Sequence, residues 1–440
     1  MFKKKKIVIL YFIIVFIIVF GFIWTIKGKK NTEEGEPSVE REKAELEIWG
    51  VFEDSDVFEP LIEDFKKIYP NVKISYFKKD IKNYENDLIE TIAEGGGPDI
   101  FKIHHTWLPQ YKDKILPASV DLISFEDVKN DYVDVVVNDF VDEGLVYALP
   151  LSVDTLALYY NKDIFKEKGI ENPPATWDEF LEDVEKISVK NKNGEVSLAG
   201  AAIGADNNVN RSTDILCLLM IQSGAWMTNE NNTLVIFDQP VISNGEKYYV
   251  GARSLLFYTD FTNTHKSVYT WNREMGYSID VFSRGEAAMM FNYSYHIPTV
   301  RSKSPYLNFD IAPMPQIKTS EFDVNYANYW GMAVSRNTSN YEMSWKFIDW
   351  LAQKENSEKY LELAKQPTAR KDLISWQEND PDLGVFAKQS LTAYSWYQVD
   401  NILIEQYLSD MIQLVINGQL KIDEALIQAA DKINILMKTQ

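Results

Sequence analysis

The sequence predicts an α/β protein built on a mostly parallel sheet and carried by an N-terminal membrane-spanning helix. Three observations predict it. Strand-like and helix-like patterns alternate as β-α-β-α-β over residues 46–103, an order that packs helices on parallel strands through right-handed crossovers. An uncharged stretch, IVILYFIIVFIIVFGFIWTI at 7–26, follows four consecutive lysines, Lys3, Lys4, Lys5 and Lys6. The chain has 440 residues, 45% hydrophobic and 13% aromatic, which suits a globular protein of roughly two to three domains.

The N-terminus sets the compartment. At about 1.5 Å per residue, residues 7–26 reach roughly 30 Å, the thickness of a bilayer core. The lysine block holds its end in the cytoplasm and leaves the remainder outside; Lys27, Lys29 and Lys30 on the far side oppose this only in part. A cleavable signal peptide has a shorter apolar region and a small-residue exit. Here the exit is Trp24-Thr25-Ile26-Lys27, and no cysteine follows to accept a lipid. The expectation is an uncleaved, single-pass anchor at 1–26, a polar flexible stalk at 27–44, and a folded part on the extracytoplasmic side of the cell membrane.

The first strand is 46–52 (LEIWGVF). Phe58, Leu61, Ile62, Phe65 and Ile68 then fall at helical spacing, with Pro60 near the start and Pro70 just past the end. VKISYF at 72–77 alternates as a strand. Tyr84, Leu88 and Ile92 mark a second helix that runs into Gly95-Gly96-Gly97, and 99–103 is again strand-like. The glycines follow a helix and precede a strand, so they make a turn; a phosphate cradle follows a strand and opens a helix. Further on, Thr176-Trp177-Asp178-Glu179 has the form of a capping box opening a helix through Ile187. Helical periodicity returns at 214–223, 341–352 and 401–415, and no internal repeat is visible.

Several function classes fall away. The formal net charge is −20 and no basic run lies beyond the first thirty residues, so nucleic acid is a poor partner. The single cysteine, Cys217, sits in an apolar run and reads as a small buried hydrophobe; neither an internal disulfide nor a cysteine metal cluster can form. The histidines 104, 105, 265 and 296 form no H-E-x-x-H, and neither G-x-S-x-G nor a G-x-x-x-x-G-K-[ST] loop occurs. Nothing singles out a catalytic pair of carboxylates. The expectation is a chain that is not an enzyme and needs no cofactor or metal.

Segments recurring in one order carry a more specific reading. They are Gly97-Pro98-Asp99-Ile100-Phe101, Val146-Tyr147-Ala148-Leu149-Pro150, Asp154-Thr155-Leu156-Ala157-Leu158-Tyr159-Tyr160-Asn161-Lys162, and Pro173-Pro174-Ala175-Thr176-Trp177-Asp178-Glu179-Phe180. Then come FSRGEAAMMFN at 282–292, YWGMAVS at 329–335 and QPTARK at 366–371. With these the chain resembles the family-1 extracellular solute-binding proteins of ABC importers, the group that includes maltose- and oligosaccharide-binding proteins. The resemblance implies a two-lobe periplasmic-binding-protein-like fold, with a hinge of about three crossing segments and an interlobe ligand cleft. Crossings are expected near 152–155, 311–315 and 365–369. They divide the chain into an N-terminal lobe (45–152 plus 316–365) and a C-terminal lobe (153–315 plus 366–440). Closure on a ligand and delivery to ABC permease subunits follow, with the chain acting as a monomer.

Ligands of open α/β sheets bind beyond the carboxyl ends of strands, and that rule selects the loops. The candidate ligand-binding residues are Glu53, His105, Trp107, Asp154, Trp226, Asn292, Tyr295, Asn328, Trp330 and Trp396. Sugar rings pack an apolar face on aromatic rings and offer a hydroxyl edge to carboxylates and amides, which makes a carbohydrate, an oligosaccharide above all, the expected ligand. The resemblance adds aromatic ligand contacts at Tyr295 and Trp330. The same aromatic and acidic set would also serve a polyamine or another small cation, and a chain of this kind could report ligand to a membrane sensor instead of a permease.

Overall fold

The computed structural model describes residues 42–439. The expected anchor and nearly all of the stalk lie outside the described residues, and among the described residues no helix is long and apolar enough to cross a membrane. The elements that position the cleft are, in chain order, β1 (Ala44–Gly50), α1 (Ser55–Ile68), β2 (Val72–Lys78), α2 (Ile81–Ala93), β3 (Ile100–His104), β4 (Ile115–Leu116) and β5 (Ala148–Pro150). There follow β6 (Asp154–Thr155), β7 (Ala157–Asn161), α3 (Ser212–Gln222), β8 (Met289–Asn292) and β9 (Phe309–Ala312). Last come β10 (Asn325–Asn328), β11 (Trp330–Ser335), β12 (Ala393–Tyr394) and α4 (Asn401–Ile416).

The opening alternation forms as expected. Phe58, Leu61, Ile62 and Phe65 make the buried stripe of α1, and β1 pairs in parallel with both β2 and β3. Gly95 and Gly97 both take positive φ in the turn from α2 to β3, the conformation glycine adopts without a Cβ penalty. Thr176 and Glu179 close the expected capping box. The sheet as a whole is mixed, which corrects the mostly parallel expectation: β11 runs antiparallel to β3, β4 and β5. The chain enters β11 from the opposite lobe, so it meets β3 head to tail. The second lobe's sheet, β8-β7-β9, is antiparallel throughout.

Two hydrophobic cores result. One gathers Leu46, Phe65, Phe101, Phe140, Met332 and Trp345; the other gathers Leu158, Phe180, Leu216, Trp271, Phe291 and Ile412. The chain leaves the first after Val153 and joins the second at Leu156, then returns between Tyr326 and Ala327. That return lies beyond the expected 311–315, because β9 is zipped to β7 and Gln222 of α3 donates to the carbonyls of Pro315 and Val324. The third passage falls between Ile374 and Phe386, and Ala393 touches the first core once more before Trp396 joins the second, later than the expected 365–369. Arg370 keeps that stretch on the first lobe by donating to the Ala352 carbonyl and pairing with Asp131 and Asp372. The crossing strands lie side by side. Asp154 stands opposite Asn328 in the β6–β10 ladder, and Ser152 bridges to Thr368.

Gly331 shows how tightly β11 is seated. A Cβ there would lie 2.6 Å from the Phe140 ring and 3.0 Å from Ala148 Cβ, both fully buried. Gly331→Ala is expected to destabilise the chain by about 1–3 kcal/mol, read as a lower denaturation midpoint; an unchanged midpoint contradicts this packing.

Candidate ligand-binding cleft

The strand ends converge between the lobes on a cavity of about 770 Å³, a size suited to a small ligand. Glu53 follows β1, Lys102 and His104 lie on β3, Trp107 follows β3, and Trp330 opens β11 directly opposite His104. The second lobe adds Arg211 at the start of α3 and Tyr295 just past β8, while the crossing strands add Asp154 and Asn328. Six of the ten sequence candidates thus share one wall: Glu53, Trp107, Asp154, Tyr295, Asn328 and Trp330.

Their roles differ. Trp330 is half-buried among Phe52, Tyr84, His104 and Trp107, all meeting it at interplanar angles of 61–77°. None stacks parallel on the indole, which leaves it the cleft's best-placed platform. Trp107 is only 5% exposed. It stacks on Tyr111 at 5.1 Å and on Tyr84 at 6.2 Å, and its indole N–H donates to Asn401 Oδ1 at 2.9 Å. It therefore ties the lobes together more than it offers a ring face. Tyr295, 43% exposed, stacks on Tyr293, and its hydroxyl accepts from Arg211 at 2.5 Å.

The acids are set by burial and by donors. Glu53 is buried against Lys102 in an ion pair and accepts from the Tyr360 hydroxyl. Burial alone would raise its pKa, but Lys102 and Tyr360 hold the carboxyl below its ordinary value. Its second oxygen, Oε2, is buried and has no protein partner. Asp154 accepts from Thr155 N at 2.8 Å, Ser294 N at 2.9 Å and Ser294 Oγ at 2.7 Å. It welds the first crossing strand to the turn that carries Tyr295.

Burial pushes Asp154 up to about 7 against those donors. Its folded pKa lies above the unfolded value of about 3.9, so between these limits the folded state keeps a proton that the unfolded state has lost. The group's contribution is present at low pH and falls as pH rises through that window. The melting temperature of Asp154→Asn should accordingly gain on the parent's from about pH 5 to about pH 8; a constant difference would contradict this.

Four candidates lie elsewhere. Asn292 is fully buried and is not among the residues lining this cavity. All four residues of β8 are buried, and the Asn292 amide oxygen accepts from Asn210 Nδ2 and the Tyr293 N–H, while its Nδ2 has no protein partner. His105, Trp226 and Trp396 line a second cavity of about 900 Å³. Sequence reasoning missed Arg211, Lys102 and Asn401. Arg211 holds a left-handed backbone, φ 62°, before α3; its place at the head of the apolar helix was the one available signal. Three bonds sew the lobes together near these residues: Trp107 to Asn401, Gln110 to the Val399 carbonyl, and Ser395 to Asp139.

A family model described as bacterial extracellular solute-binding protein matches residues 49–358. A Brucella abortus (strain 2308) protein named only as a binding protein is 24% identical over 397 residues, 86% of this chain and 90% of that one. The maltotriose-binding protein of Pyrococcus abyssi is 25% identical over 298 residues, 67% of this chain and 59% of that protein. Among solved structures, the cyclic alpha-maltosyl-1,6-maltose binding protein from Arthrobacter globiformis superposes with a TM-score of 0.75 at 18% identity, covering 91% of this chain and all of that one. That likeness shows the same two-lobed α/β fold.

Proposed function

The chain belongs to the bacterial extracellular solute-binding proteins, transport components and not enzymes, and from that premise we propose that it captures a neutral oligosaccharide in the interlobe cleft. It closes on that ligand and delivers it to the permease subunits of an ABC importer. The observation that carries the reading is the pairing of the Trp330 platform with polar groups still open to a ligand, Glu53 Oε2 first among them. An aromatic face beside a buried acceptor is the chemistry that a pyranose ring, with its apolar face and hydroxyl edge, satisfies. The oligosaccharide ligands named for relatives in Pyrococcus abyssi and Arthrobacter globiformis support the same class.

In this reading the chain works as a monomer. Its hinge is the set of paired crossing strands, where β6 and β10 run side by side. Residues 1–26 hold it at the cell membrane and the stretch from 27 to 41 lets the folded part reach the permease, raising its effective concentration there; the expected stalk ends short of 44, because Glu42 pairs with Lys346 and Ala44 opens β1. Alkaline extraction of membranes should leave the chain in the pellet; release into the supernatant contradicts the anchor.

The ligand class is tested by following the melting temperature of the full chain, in a detergent without a sugar headgroup, against neutral oligosaccharides and polyamines. A ligand at a hundred times its Kd stabilises the folded state by about 2.7 kcal/mol. Stabilisation by an oligosaccharide supports the proposal. A response confined to polyamines would keep the cleft and overturn the ligand.

A further inference from the structure

A separate cavity, of about 370 Å³, lies in the first lobe and shares no lining residue with the cleft. Its floor is apolar: Ile123, Val128 and Leu149 are buried members of the first core. Its rim carries the acids Asp127, Asp131, Asp349 and Glu355. The helix over Tyr341–Ala352 ends at this cavity and the one over Lys354–Ala364 begins there. Their terminal partial charges are opposite and offset each other, so the side chains set the local field.

The cations present leave much of that negative charge standing. Arg370 is already committed: it donates Nε to Asp372 at 2.9 Å, Nη2 to Asp131 at 3.2 Å and Nη1 to the Ala352 carbonyl at 2.8 Å. Lys354 is exposed, and its charge acts on Asp372. Among the described residues Asp127, Asp349 and Glu355 take part in no ion pair. Asp349 is half-buried, and burial together with the neighbouring charge of Asp127 pushes its carboxyl above the usual range. A second observation is independent of the acids. Tyr132 lines the same cavity and is 4% exposed, yet its hydroxyl has no hydrogen-bond partner. Asp131 and Asp349 both act on that hydroxyl from nearby, and its oxygen has two lone pairs to offer a donor.

A bare metal ion does not fit these groups. Among the described residues no three His, Cys, Asp or Glu side chains come together as metal ligands. Acceptors spread around an apolar floor suit a larger cation, one with several N–H donors at the end of a hydrocarbon stem. We propose that this cavity binds an alkylammonium ion, with its methylenes on Ile123, Val128 and Leu149 and its N–H donors shared among Tyr132 Oη and the carboxylates of Asp127 and Asp349. The ion comes either free, as a diamine or polyamine, or as the lysine side chain of a partner protein. The site stands apart from the cleft and does not depend on which ligand the cleft takes.

Calorimetric titration of the full chain, again in a detergent without a sugar headgroup, tests this with two probes: cadaverine, and a lysine amide acetylated at its α-amine. Cadaverine or both should bind, and Asp349→Asn and Tyr132→Phe should each weaken that binding by about tenfold. Neither substitution removes an ion pair, and the melting temperature of each variant without amine checks that it is folded. Tighter binding of cadaverine identifies a free polyamine as the occupant; equal or tighter binding of the lysine amide identifies a partner's lysine. Absence of binding by both probes overturns the proposal. So does binding that ignores both substitutions, which would put the amine elsewhere, the cleft included. Maltotriose titrated into Asp349→Asn should bind as it does to the parent, so the outcome for the cleft is read separately.

Discussion

Trp330→Ala weakens oligosaccharide binding by about 2–4 kcal/mol, or roughly 30- to 1,000-fold, the loss usual for a central aromatic anchor. Of the two indoles lining the first cavity, Trp330 is the one free from parallel stacking. Its four aromatic neighbours meet it at steep angles, and its backbone is fixed by the β3–β11 register opposite His104. The rim around it is rebuilt little by the truncation, because Tyr84 and Trp107 hold each other and are anchored by hydrogen bonds to the Lys102 carbonyl and to Asn401. Calorimetry on the folded variant checks the loss. A change below about threefold, under 1 kcal/mol, would move the stacking role to another residue.

Lys102→Met destabilises the chain by about 3–5 kcal/mol, the cost of leaving a buried charge without its partner. Lys102 and Glu53 are 6% and 5% exposed and paired, and the remaining help to Glu53 is the Tyr360 hydroxyl. Removing the lysine leaves the carboxylate in the cleft wall with its largest opposition to burial gone, so its pKa rises and the variant loses further stability as pH increases. Glu53→Gln together with Lys102→Met removes both charges, and most of the lost stability should return. Urea denaturation of the two single variants and the double variant measures the coupling. Additive losses would contradict a buried ion pair at this place.

How far the sequence reaches can be argued from these residues. The β1–α1–β2–α2–β3 run and the Thr176 capping box depend on local periodicity and on side chains three or four residues apart, so they were legible. The loops after β1 and β3 followed from strand order, which brought Glu53 and Trp107 into view, while Trp330 came from its place before the Gly331 strand and from the family resemblance. What stayed hidden depends on contacts distant in sequence. Trp107 was a reasonable platform until Tyr84 and Tyr111 covered it and Asn401, 294 residues away, took its indole N–H. Asn292 lies at the end of a strand buried along its whole length, which no alternation pattern revealed. The antiparallel entry of β11 and the late crossings at 326–327 and 374–386 follow from pairings such as β9 with β7 and Arg370 with Ala352. The same kind of long-range seam splits the candidate set between two cavities.

The central claim is that a sugar is held by both lobes at once. Hydrogen exchange of the full chain, with and without a saturating neutral oligosaccharide, tests it most directly, since a ligand that bridges the lobes slows opening on both sides of the cleft. The account predicts protection at 52–54, 104–107 and 328–330 on the first lobe side, together with 211–214 and 294–296 on the second. Protection confined to one lobe, or absent from these segments while the sugar is bound, would contradict it.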